Sequence, residues 1–414
     1  MSYVKALIVL LSSTLVACAT VDQTASRERG GLSEQRLNAL TIFMQSRIDA
    51  GHLPGTVMVV SHKGKMVYSK ALGWLNPKAR TPMTEDALFR MYSMTKPVVS
   101  VATLILLEEG KLQINDPVSM YLPEMKNMKV WVEKVGADGK PTHELVAASR
   151  QLTLLDLMRH TAGMTYGDTK TQHDAEYLKA FPKPTGSNEF IKNVADLPLA
   201  HQPGSQWSYG ISHDVLGVVV ERVSGKPLQV FLEERIFRPL KMTDTTFWVE
   251  PANHHRIAEP FEVDPDSKRP IDLSEPRRMS PMAAGGGSSR VGNGLMSTAR
   301  DYLRFVQMVA NGGQLDGVRI LSRKSVELIG TDHIKGLKAP TPGHGWGLGV
   351  SVRNELGGAN QHGSVGDYWW GGAGGTSFII DPSEHLVAVR MSQAPASRGY
   401  YNRAFRNFVY SALE

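Results

Sequence analysis

The chain has 414 residues, of which 42% are hydrophobic and 21% charged. That length and apolar content can bury a large core, which excludes a disordered or fibrous protein. The formal net charge of +6 comes from basic residues scattered among 40 acidic ones, without a basic block. Nucleic acid is therefore not an expected partner.

Residues 1–18 have the form of a secretory signal peptide. Lys5 precedes an apolar run, 6–11, that is too short to be retained as a membrane-spanning helix. The segment ends in Leu15-Val16-Ala17-Cys18, which resembles the bacterial lipobox, whose cysteine is acylated after cleavage. Cys18 is the only cysteine of the chain, so the mature protein is expected to contain no disulfide. The alternative is a cysteine that merely lies in a cleaved signal.

Lipidation of Cys18 would make the protein an exported one, anchored to the bacterial envelope by its N-terminal lipid. Ala19, not Asp, follows the cysteine, and in lipoproteins of Gram-negative cells this favours the outer membrane, facing the periplasm. Residues 19–33 are polar and rich in Thr, Ser, Arg and Gly, which predicts a flexible tether.

The folded part is predicted to begin with a helix and a β-hairpin. Apolar residues recur at helical spacing between residues 33 and 50, and Gly51 ends that helix. The β-rich runs 56–61 and 66–72 are joined by a short polar turn, which predicts an antiparallel pair.

Helical patterns and loops containing Pro or Gly predominate in the middle of the chain. The helical patterns are 152–159, 213–223 and 228–237. After the Gly285-Gly286-Gly287 loop, Ser297 offers an N-cap for a helix through Ala310. The remaining predicted elements are strands at 347–352, 376–380 and 386–391 and a helix from about 402 to 413.

This order of elements predicts an α+β fold. Residues 34–96 and 285–414 would form an antiparallel sheet flanked by helices, since both chain ends supply strands. Residues 97–284 would form an inserted, mostly helical lobe.

The first candidate chemical group is Ser93-Met94-Thr95-Lys96, which follows a strand-like run and precedes an apolar helix. A serine at the first turn of a buried helix lies near free N–H groups, and a lysine three residues later lies on the same face. Burial would lower the lysine pKa and let its amine accept the serine proton. Pro97 predicts an irregular first turn. The alternative is a capping serine with a solvated lysine, and Ser2-Tyr3-Val4-Lys5 shows how common the pattern is.

Two later segments could complete a site. Tyr209 follows a Pro203-Gly204 turn before an apolar helix and could present its hydroxyl to Ser93, although a packed aromatic is the simpler interpretation. Residues 370–376, Trp-Gly-Gly-Ala-Gly-Gly-Thr, lead into a strand, and glycines there let a ligand approach the backbone. A backbone N–H of this segment could serve an oxyanion hole, unless the glycines only form a turn.

Ser93-x-x-Lys96, Tyr209 and Trp370-Gly371-Gly372, in this order and spacing, resemble the three active-site elements of the serine β-lactamase-like superfamily. The resemblance is to class C β-lactamases and family VIII carboxylesterases, and it extends over residues 34 to 412. Further matching segments are 157–164, 203–204, 214–217 and 294–298.

The resemblance implies a role for each matching residue. Ser93 would be acylated, Lys96 and Tyr209 would share proton transfer, and the N–H groups of Ser93 and Ala373 would hold the oxyanion. Which of Lys96 and Tyr209 is the general base stays open. Trp370, Gly371 and Gly372 would border the substrate. Apart from the resemblance, Trp207, Trp369 and Trp370 could line an apolar pocket, and the alternative is that they belong to the core. His160 would be structural.

Two departures from the β-lactamase pattern favour esters over β-lactams. Tyr209-Gly210-Ile211 lacks the Asn of Tyr-x-Asn, and Trp370-Gly371-Gly372 lacks the cation of Lys-Thr-Gly that faces an anionic substrate. A second Tyr-x-Asn, Tyr400-Tyr401-Asn402, follows the third element and is in the wrong order. The sequence thus predicts a serine hydrolase, preferentially a carboxylesterase acting on small esters.

Other functions remain as alternatives. The same fold could act on amides, as a β-lactamase, a D-amino-acid peptidase or another amide hydrolase, and a tethered cell-wall binding module would turn nothing over. The chain has no G-x-S-x-G and no H-E-x-x-H motif, so an α/β-hydrolase and a zinc enzyme are not expected. No metal or cofactor is predicted, and the sequence does not indicate an oligomeric state.

Overall fold

The computed structural model describes residues 31–167, 173–175, 186–271 and 294–414. Cys18, the signal segment and the Gly285-Gly286-Gly287 loop lie outside these described residues. No helix within the described ranges has both the length and the apolar character that crossing a bilayer requires.

The helices of the described residues alternate with strands at both ends of the chain. They are α1 Glu34–Asp49, α2 Thr95–Glu108, α3 Leu154–Met158, α4 Ser187–Ala195, α5 Ser212–Ser224, α6 Leu228–Leu232, α7 Ala299–Ala310, α8 Arg323–Ile329, α9 Leu356–Ala359 and α10 Arg398–Ser411. A π-helical turn, Glu233–Phe237, extends α6. The predicted helices at 33–50, 213–223 and 228–237 are thus confirmed.

The strands of the described residues form one large sheet and three two-stranded pairs. They are β1 Gly55–His62, β2 Lys65–Asn76, β3 Thr81–Pro82, β4 Phe89–Arg90, β5 Lys129–Val135, β6 Pro141–Ala147, β7 Met296–Ser297, β8 Gln314–Leu315, β9 Val318–Arg319, β10 His344–Trp346, β11 Ser351–Arg353, β12 Tyr368–Gly371, β13 Ser377–Asp381 and β14 Leu386–Met391. Within the described residues the large sheet has the order β10-β11-β12-β13-β14-β1-β2-β3.

The large sheet joins the two ends of the chain, as predicted. β1 pairs antiparallel with β2, in the predicted hairpin, and with β14 on its other side. Near the start of the described chain, Leu32 is buried and pairs with Leu413, although it falls within the predicted tether. The N–H of Ser33 also donates to the carbonyl of Ala412 over 2.8 Å. The described N-terminal residues are therefore fixed to the C-terminal ones.

Helices cover both faces of the sheet, and every residue of β1 is buried. Val57 and Val59 belong to the larger core, which includes residues of α2, α5 and α7. Met58 and Val60 point the other way and pack with residues of α1 and α10. A strand covered on both faces loses the alternation of polar and apolar residues, and β1 is accordingly apolar along most of its length.

Four details differ from the sequence-based predictions. The middle of the chain contains a hairpin, β5–β6, beside its helices. Of the predicted strand 347–352 only the last two residues belong to a strand, because residues 347–350 form the turn between β10 and β11, in which the Gly347 N–H donates to the Val350 carbonyl over 2.8 Å. Thr298, not Ser297, caps α7, because Ser297 pairs with Phe89 as part of β7. The last helix, α10, begins at Arg398 rather than near residue 402.

Candidate active site

Ser93 lies in a 3₁₀ turn, Tyr92–Met94, that leads directly into α2. Pro97 is the third residue of α2, where a missing N–H removes no intrahelical hydrogen bond. The turn that contains Ser93 is irregular, as predicted, but Lys96 itself is helical although it precedes Pro97. Tyr92 has a φ of 48°, which is unusual for a tyrosine and concentrates backbone strain next to Ser93.

Residues from the C-terminal half of the chain hold this turn in place. The Thr95 hydroxyl oxygen accepts the N–H of Leu295 over 2.9 Å, and the hydroxyl of Tyr302 on α7 donates to the Met94 carbonyl over 2.8 Å. These bonds satisfy buried polar groups of the two residues that follow Ser93 and so help to fix its backbone.

Lys96 is the polar centre of the site and is only 3% exposed. Its Nζ donates to the Ser93 Oγ over 3.3 Å and to the Tyr166 hydroxyl over 2.7 Å. The same Nζ lies 4.9 Å from the ring centre of Tyr209, within the range of a cation–π contact. The structure thus brings together the predicted Ser93, Lys96 and Tyr209.

Tyr166 is a site residue that sequence reasoning missed. It is separated from Lys96 by 70 residues and follows a loop that matched the family only as far as Met164. Its ring centre lies 5.6 Å from that of Tyr209, so the two tyrosines enclose the Lys96 ammonium. No motif spacing connects Tyr166 to Ser93, because the contact arises only from the folded loop.

Tyr209 makes its hydroxyl contact with the third element of the site. The indole Nε1 of Trp370 donates to the Tyr209 hydroxyl oxygen over 3.1 Å, and the two ring centres are 5.4 Å apart. Tyr209 therefore presents its ring face to Lys96 and its hydroxyl to Trp370, whereas the sequence suggested a hydroxyl aimed at Ser93.

The proton state of Lys96 follows from its neighbours. Burial by itself lowers the pKa of Lys96. The oxygens of Tyr166, Tyr209 and Asp214 raise this pKa by more, so the net direction is upward. The predicted lowering of the Lys96 pKa is therefore wrong. Burial also raises the pKa of Tyr166, so at neutral pH an ammonium donates to a neutral phenol.

The glycine-rich segment after Trp370 forms a tight turn. The N–H of Gly372 donates to the carbonyl of Thr376 over 2.9 Å, and the N–H of Gly375 donates to the carbonyl of Gly372 over 3.0 Å. Since the carbonyl of Gly372 points into the turn, the N–H of Ala373, on the other side of the same planar peptide, points out of it.

This turn packs directly against the residues that precede Ser93. A Cβ on Gly372 would lie 2.3 Å from the carbonyl oxygen of Met91, and one on Gly374 would lie 2.8 Å from the ring of Tyr92. Only glycine fits both positions. The close approach makes the backbone of the turn a neighbour of the Ser93 backbone, as an oxyanion hole built from both would need.

The loop that ends in Tyr166 is fixed at its start by Asp156, which is fully buried. The carboxylate accepts from Arg150 over 2.5 Å, from the Thr161 hydroxyl over 2.9 Å and from the Thr153 N–H over 3.0 Å. Burial raises the pKa of Asp156, but Arg150 and these hydrogen bonds lower it to about 2. A fully paired carboxylate thus anchors the loop.

Two buried histidines lie behind the tyrosines. The ring of His160 is 4.7 Å from that of Tyr209 and 4.9 Å from that of His213, and His213 Nε2 lies 3.1 Å from the Ser100 hydroxyl. Burial lowers the pKa of both histidines well below its usual value, and the nearby Lys96 lowers it further. Both are therefore neutral at pH 7.

The tryptophans proposed to line a pocket belong to one aromatic cluster. The ring centre of Trp370 lies 4.5 Å from that of buried Trp346 and 5.8 Å from that of Trp369. The ring centre of Trp207 lies 5.2 Å from that of Trp346. Trp207, Trp369 and Trp370 are each partly exposed. The cluster therefore presents apolar surface beside Tyr209.

Comparison with known proteins places this geometry in a family. The sequence profile of the Beta-lactamase family matches residues 40–408. The chain belongs to the Beta-lactamase family. The predicted superfamily and its α+β fold are thus confirmed, and the chain is an enzyme of the serine hydrolase type.

Three proteins illustrate the similarity. Protein Rv1367c of Mycobacterium tuberculosis is 35% identical over 83% of this chain and 87% of its own length. Esterase EstB of Burkholderia gladioli is 30% identical over 96% of this chain and 100% of its own length. The solved structure of EstCE1, a hydrolase with promiscuous acyltransferase activity, has a TM-score of 0.74 at 24% identity, covering 91% and 99% of the two chains.

Within the family, this chain lacks two polar groups of the β-lactamase pattern. Ile211, in place of the asparagine, is fully buried and packs in the larger core, so it offers no polar group to a substrate. Trp370, in place of the cation, donates to Tyr209 and carries no charge. Among the described residues, no group of three or more His, Cys, Asp or Glu side chains is placed to hold a metal ion.

Proposed function

We propose that this member of the Beta-lactamase family is a carboxylesterase that forms an acyl-enzyme on Ser93. The observation behind this assignment is the position of Lys96 Nζ, 3.3 Å from Ser93 Oγ and 2.7 Å from the Tyr166 hydroxyl. An amine held beside a serine at a strained helix entrance, with phenols around it, is an arrangement for activating a nucleophile.

In the proposed acylation, Ser93 Oγ attacks the ester carbonyl carbon and its proton passes to Lys96 Nζ. The N–H groups of Ser93 and Ala373 would hold the oxyanion, and the leaving alkoxide takes a proton from the Lys96 and Tyr209 pair. Water then attacks the acyl carbon along the reverse path and releases the acid. Because Lys96 is charged at neutral pH, it must lose a proton before it can accept one from Ser93.

The proposed substrate is a small neutral ester. Trp370 offers an indole N–H and apolar surface where a β-lactamase would offer a cation, so an anionic substrate gains no ion pair there. The similarity over the full length of Esterase EstB supports the same substrate class. Gly371 and Gly372 would border the ester at the end of β12.

Hydrolysis of p-nitrophenyl butyrate and of a chromogenic cephalosporin by the protein lacking residues 1–18 tests the proposal. We expect much faster turnover of the ester, and loss of at least about a thousandfold in Ser93→Ala. Ser411→Ala, a matched change on α10 where the hydroxyl only donates to Phe408, should behave as wild type. A faster cephalosporin rate would replace the ester assignment with an amide or β-lactam hydrolase.

A fluorophosphonate probe tests the nucleophile independently of substrate choice. Mass spectrometry should find the adduct on Ser93 and none in Ser93→Ala. An adduct on another serine would remove the assignment. A folded protein that reacts with neither probe nor ester would indicate the tethered binding module instead.

We also propose that the protein is exported and held on the envelope by a lipid on Cys18. The support is the lipobox-like Leu15-Val16-Ala17-Cys18 at the end of a signal-like segment. Expression with labelled palmitate should label the membrane fraction, and Cys18→Ser should remove both the label and the membrane association. A labelled Cys18→Ser protein would contradict the proposal.

A further inference from the structure

Arg390 is a fully buried arginine on β14. None of the ion pairs among the described residues includes it, although the other large buried arginines, Arg90 and Arg353, each contact a carboxylate. Burial lowers the pKa of Arg390 to about 9, so it remains charged at neutral pH. A buried cation without a counter-ion is costly, and such a group persists where its position serves something other than stability.

The contacts of Arg390 lead to the glycine-rich turn of the active site. Its Nη2 donates to the carbonyl of Gly375 over 2.8 Å. The same nitrogen donates to Asn402 Oδ1 over 2.7 Å, and Nε donates to that oxygen over 3.2 Å. Asn402 belongs to α10, so the guanidinium joins this helix to the turn.

The turn is fixed from behind by two carbonyl contacts on consecutive residues. Arg390 holds the Gly375 carbonyl, and the N–H of Ala394 donates to the Gly374 carbonyl over 2.7 Å. The Gly374 carbonyl shares its peptide with the Gly375 N–H, and that N–H donates to the Gly372 carbonyl over 3.0 Å. The Gly372 carbonyl in turn shares its peptide with the Ala373 N–H, so fixing residues 374 and 375 keeps this N–H directed out of the turn.

We propose that Arg390 is a positioning residue, which holds the Gly375 carbonyl, anchored by Asn402, and so fixes the direction of the Ala373 N–H that receives the oxyanion. This inference rests on the proposed function, because it needs an oxyanion on an acylated Ser93. A hydrogen bond from a charged donor to a neutral carbonyl is stronger than one between neutral groups, which suits a turn otherwise made of glycines.

The main test replaces Arg390 with methionine, which has a similar length and no charge. Removing a whole oxyanion donor costs roughly a hundredfold to a thousandfold in kcat, so loss of its positioning should cost about tenfold to a hundredfold. KM for p-nitrophenyl butyrate should change less than about threefold, because the oxyanion forms only after binding. A tetrahedral boronate inhibitor should weaken by the same factor as kcat/KM.

Stability separates positioning from a purely structural role. Replacing a buried, uncompensated charge by an apolar side chain of similar volume is often neutral or stabilising. We therefore expect Arg390→Met to keep or raise Tm while kcat falls. Thr56→Val is the matched control: it removes a buried side-chain bond, of 2.9 Å, to Met391, the next residue of β14, and does not touch the turn. It should lower Tm and leave kcat unchanged.

Two further variants keep the test decisive if Arg390→Met folds poorly. Arg390→Lys retains a cationic donor for the Gly375 carbonyl but loses the second contact, so kcat should recover at least about threefold over Arg390→Met. Asn402→Ala retains Arg390 and removes its anchor, so kcat should fall about threefold to tenfold with KM unchanged. Asn402 is only partly buried, and the variant should fold.

The outcomes distinguish this inference from the proposed function. If wild-type protein carries no fluorophosphonate adduct on Ser93, the proposed function fails and the inference with it. If wild type is labelled on Ser93 but folded Arg390→Met or Asn402→Ala keeps kcat and boronate affinity within about twofold, the inference alone is overturned. The inference is also overturned if Thr56→Val loses kcat in the same proportion to its fall in Tm as Arg390→Met does.

Discussion

Two buried polar clusters of this protein differ in how their charges are balanced. The lysine site consists of Ser93, Lys96, Tyr166 and Tyr209, and the ammonium at its centre contacts hydroxyls and a ring face. The aspartate clamp consists of Arg353, Asp367, Arg406 and Tyr410, and its carboxylate receives Arg353 over 2.8 Å and Arg406 over 2.9 Å.

Both clusters are withdrawn from water, since Lys96 is 3% exposed and Asp367 0%. In the clamp both guanidinium groups contact the Asp367 carboxylate. Protonation of that carboxylate would leave the buried cations of Arg353 and Arg406 without it. In the lysine site Asp214 raises the Lys96 pKa, and the Lys96 proton can pass between the amine, phenol and serine oxygens that contact one another directly. The comparison teaches that direct contact with groups that exchange protons, rather than burial alone, marks the chemical site.

The largest expected effect is that of Lys96→Met. Turnover of p-nitrophenyl butyrate should fall by a thousandfold or more, because no other amine lies beside Ser93 Oγ within the described residues. Tm should fall by no more than a few degrees, because methionine has a similar volume, although it gives up the contacts that raise the pKa of Lys96 and so stabilise its charge. Loss of stability by several kcal/mol would show that the lysine site is structural, like the clamp.

The second effect is on the clamp. Asp367→Asn should destabilise the protein by about 3–5 kcal/mol in urea unfolding, because two buried guanidinium groups lose their carboxylate. The kcat of the folded fraction should change less than about threefold. Glu262→Gln removes an exposed partner of Lys78 and should cost less than about 1 kcal/mol. Equal costs for both variants would contradict the distinction between the clusters.

The third effect is on pH dependence. Raised pKa values keep Lys96 and Tyr166 protonated at neutral pH, so the fraction able to accept the Ser93 proton rises with pH. After subtraction of the blank, kcat/KM should increase about tenfold per pH unit on the acid side of the apparent pKa. In Tyr166→Phe this rise should move to lower pH, since Tyr166 raises the pKa of Lys96. If the pH profile of kcat/KM does not move in Tyr166→Phe, the rise on its acid side belongs to the titration of another group.

The sequence predicts this site as far as its motifs extend. Ser93 and Lys96 share one helix entrance, so their spacing alone brings them together, and Tyr209 and Trp370 follow from the order of the family's elements. Tyr166 could not be found in this way, because its contact with Lys96 spans 70 residues and depends on a loop held by Asp156.

The errors in the fold have similar causes. The hairpin β5–β6 carries a recognisable signal, Asp138-Gly139 between alternating runs, which the surrounding helical patterns obscured. The sequence gives the wrong direction for the Lys96 pKa shift. The apolar residues around Lys96 in the sequence indicate burial, whereas the oxygens that surround its amine come together only in the folded chain. Local pattern therefore predicts elements and motifs, and charge balance has to be read from the structure.

Asp301 tests whether a buried ionisable group without an ion pair among the described residues is enough to mark a chemical site. It is 7% exposed, and its Oδ2 accepts the N–H of Asp244 over 2.8 Å and the Thr245 hydroxyl over 3.0 Å. Burial raises the pKa of Asp301 to about 6, although these hydrogen bonds lower it. No ion pair of the described residues includes Asp301, which lies in the first turn of α7.

The smallest expected effect is the stability change of Asp301→Asn. Because folding raises this pKa, the group stabilises the fold fully at low pH, and its contribution is lost as pH rises through about 6. A pKa shift of this size means that the ionised carboxylate costs the fold at most about 3 kcal/mol. Removing the carboxylate also removes its favourable interaction with the helix N-terminus, which offsets about 0.3–1 kcal/mol of the gain. An asparagine oxygen can still accept both hydrogen bonds, so Asp301→Asn should gain about 1–2 kcal/mol at pH 8 and nothing at pH 4, with unchanged kcat. Urea unfolding at both pH values measures this difference, and a variant that lost activity would instead connect Asp301 to the lysine site.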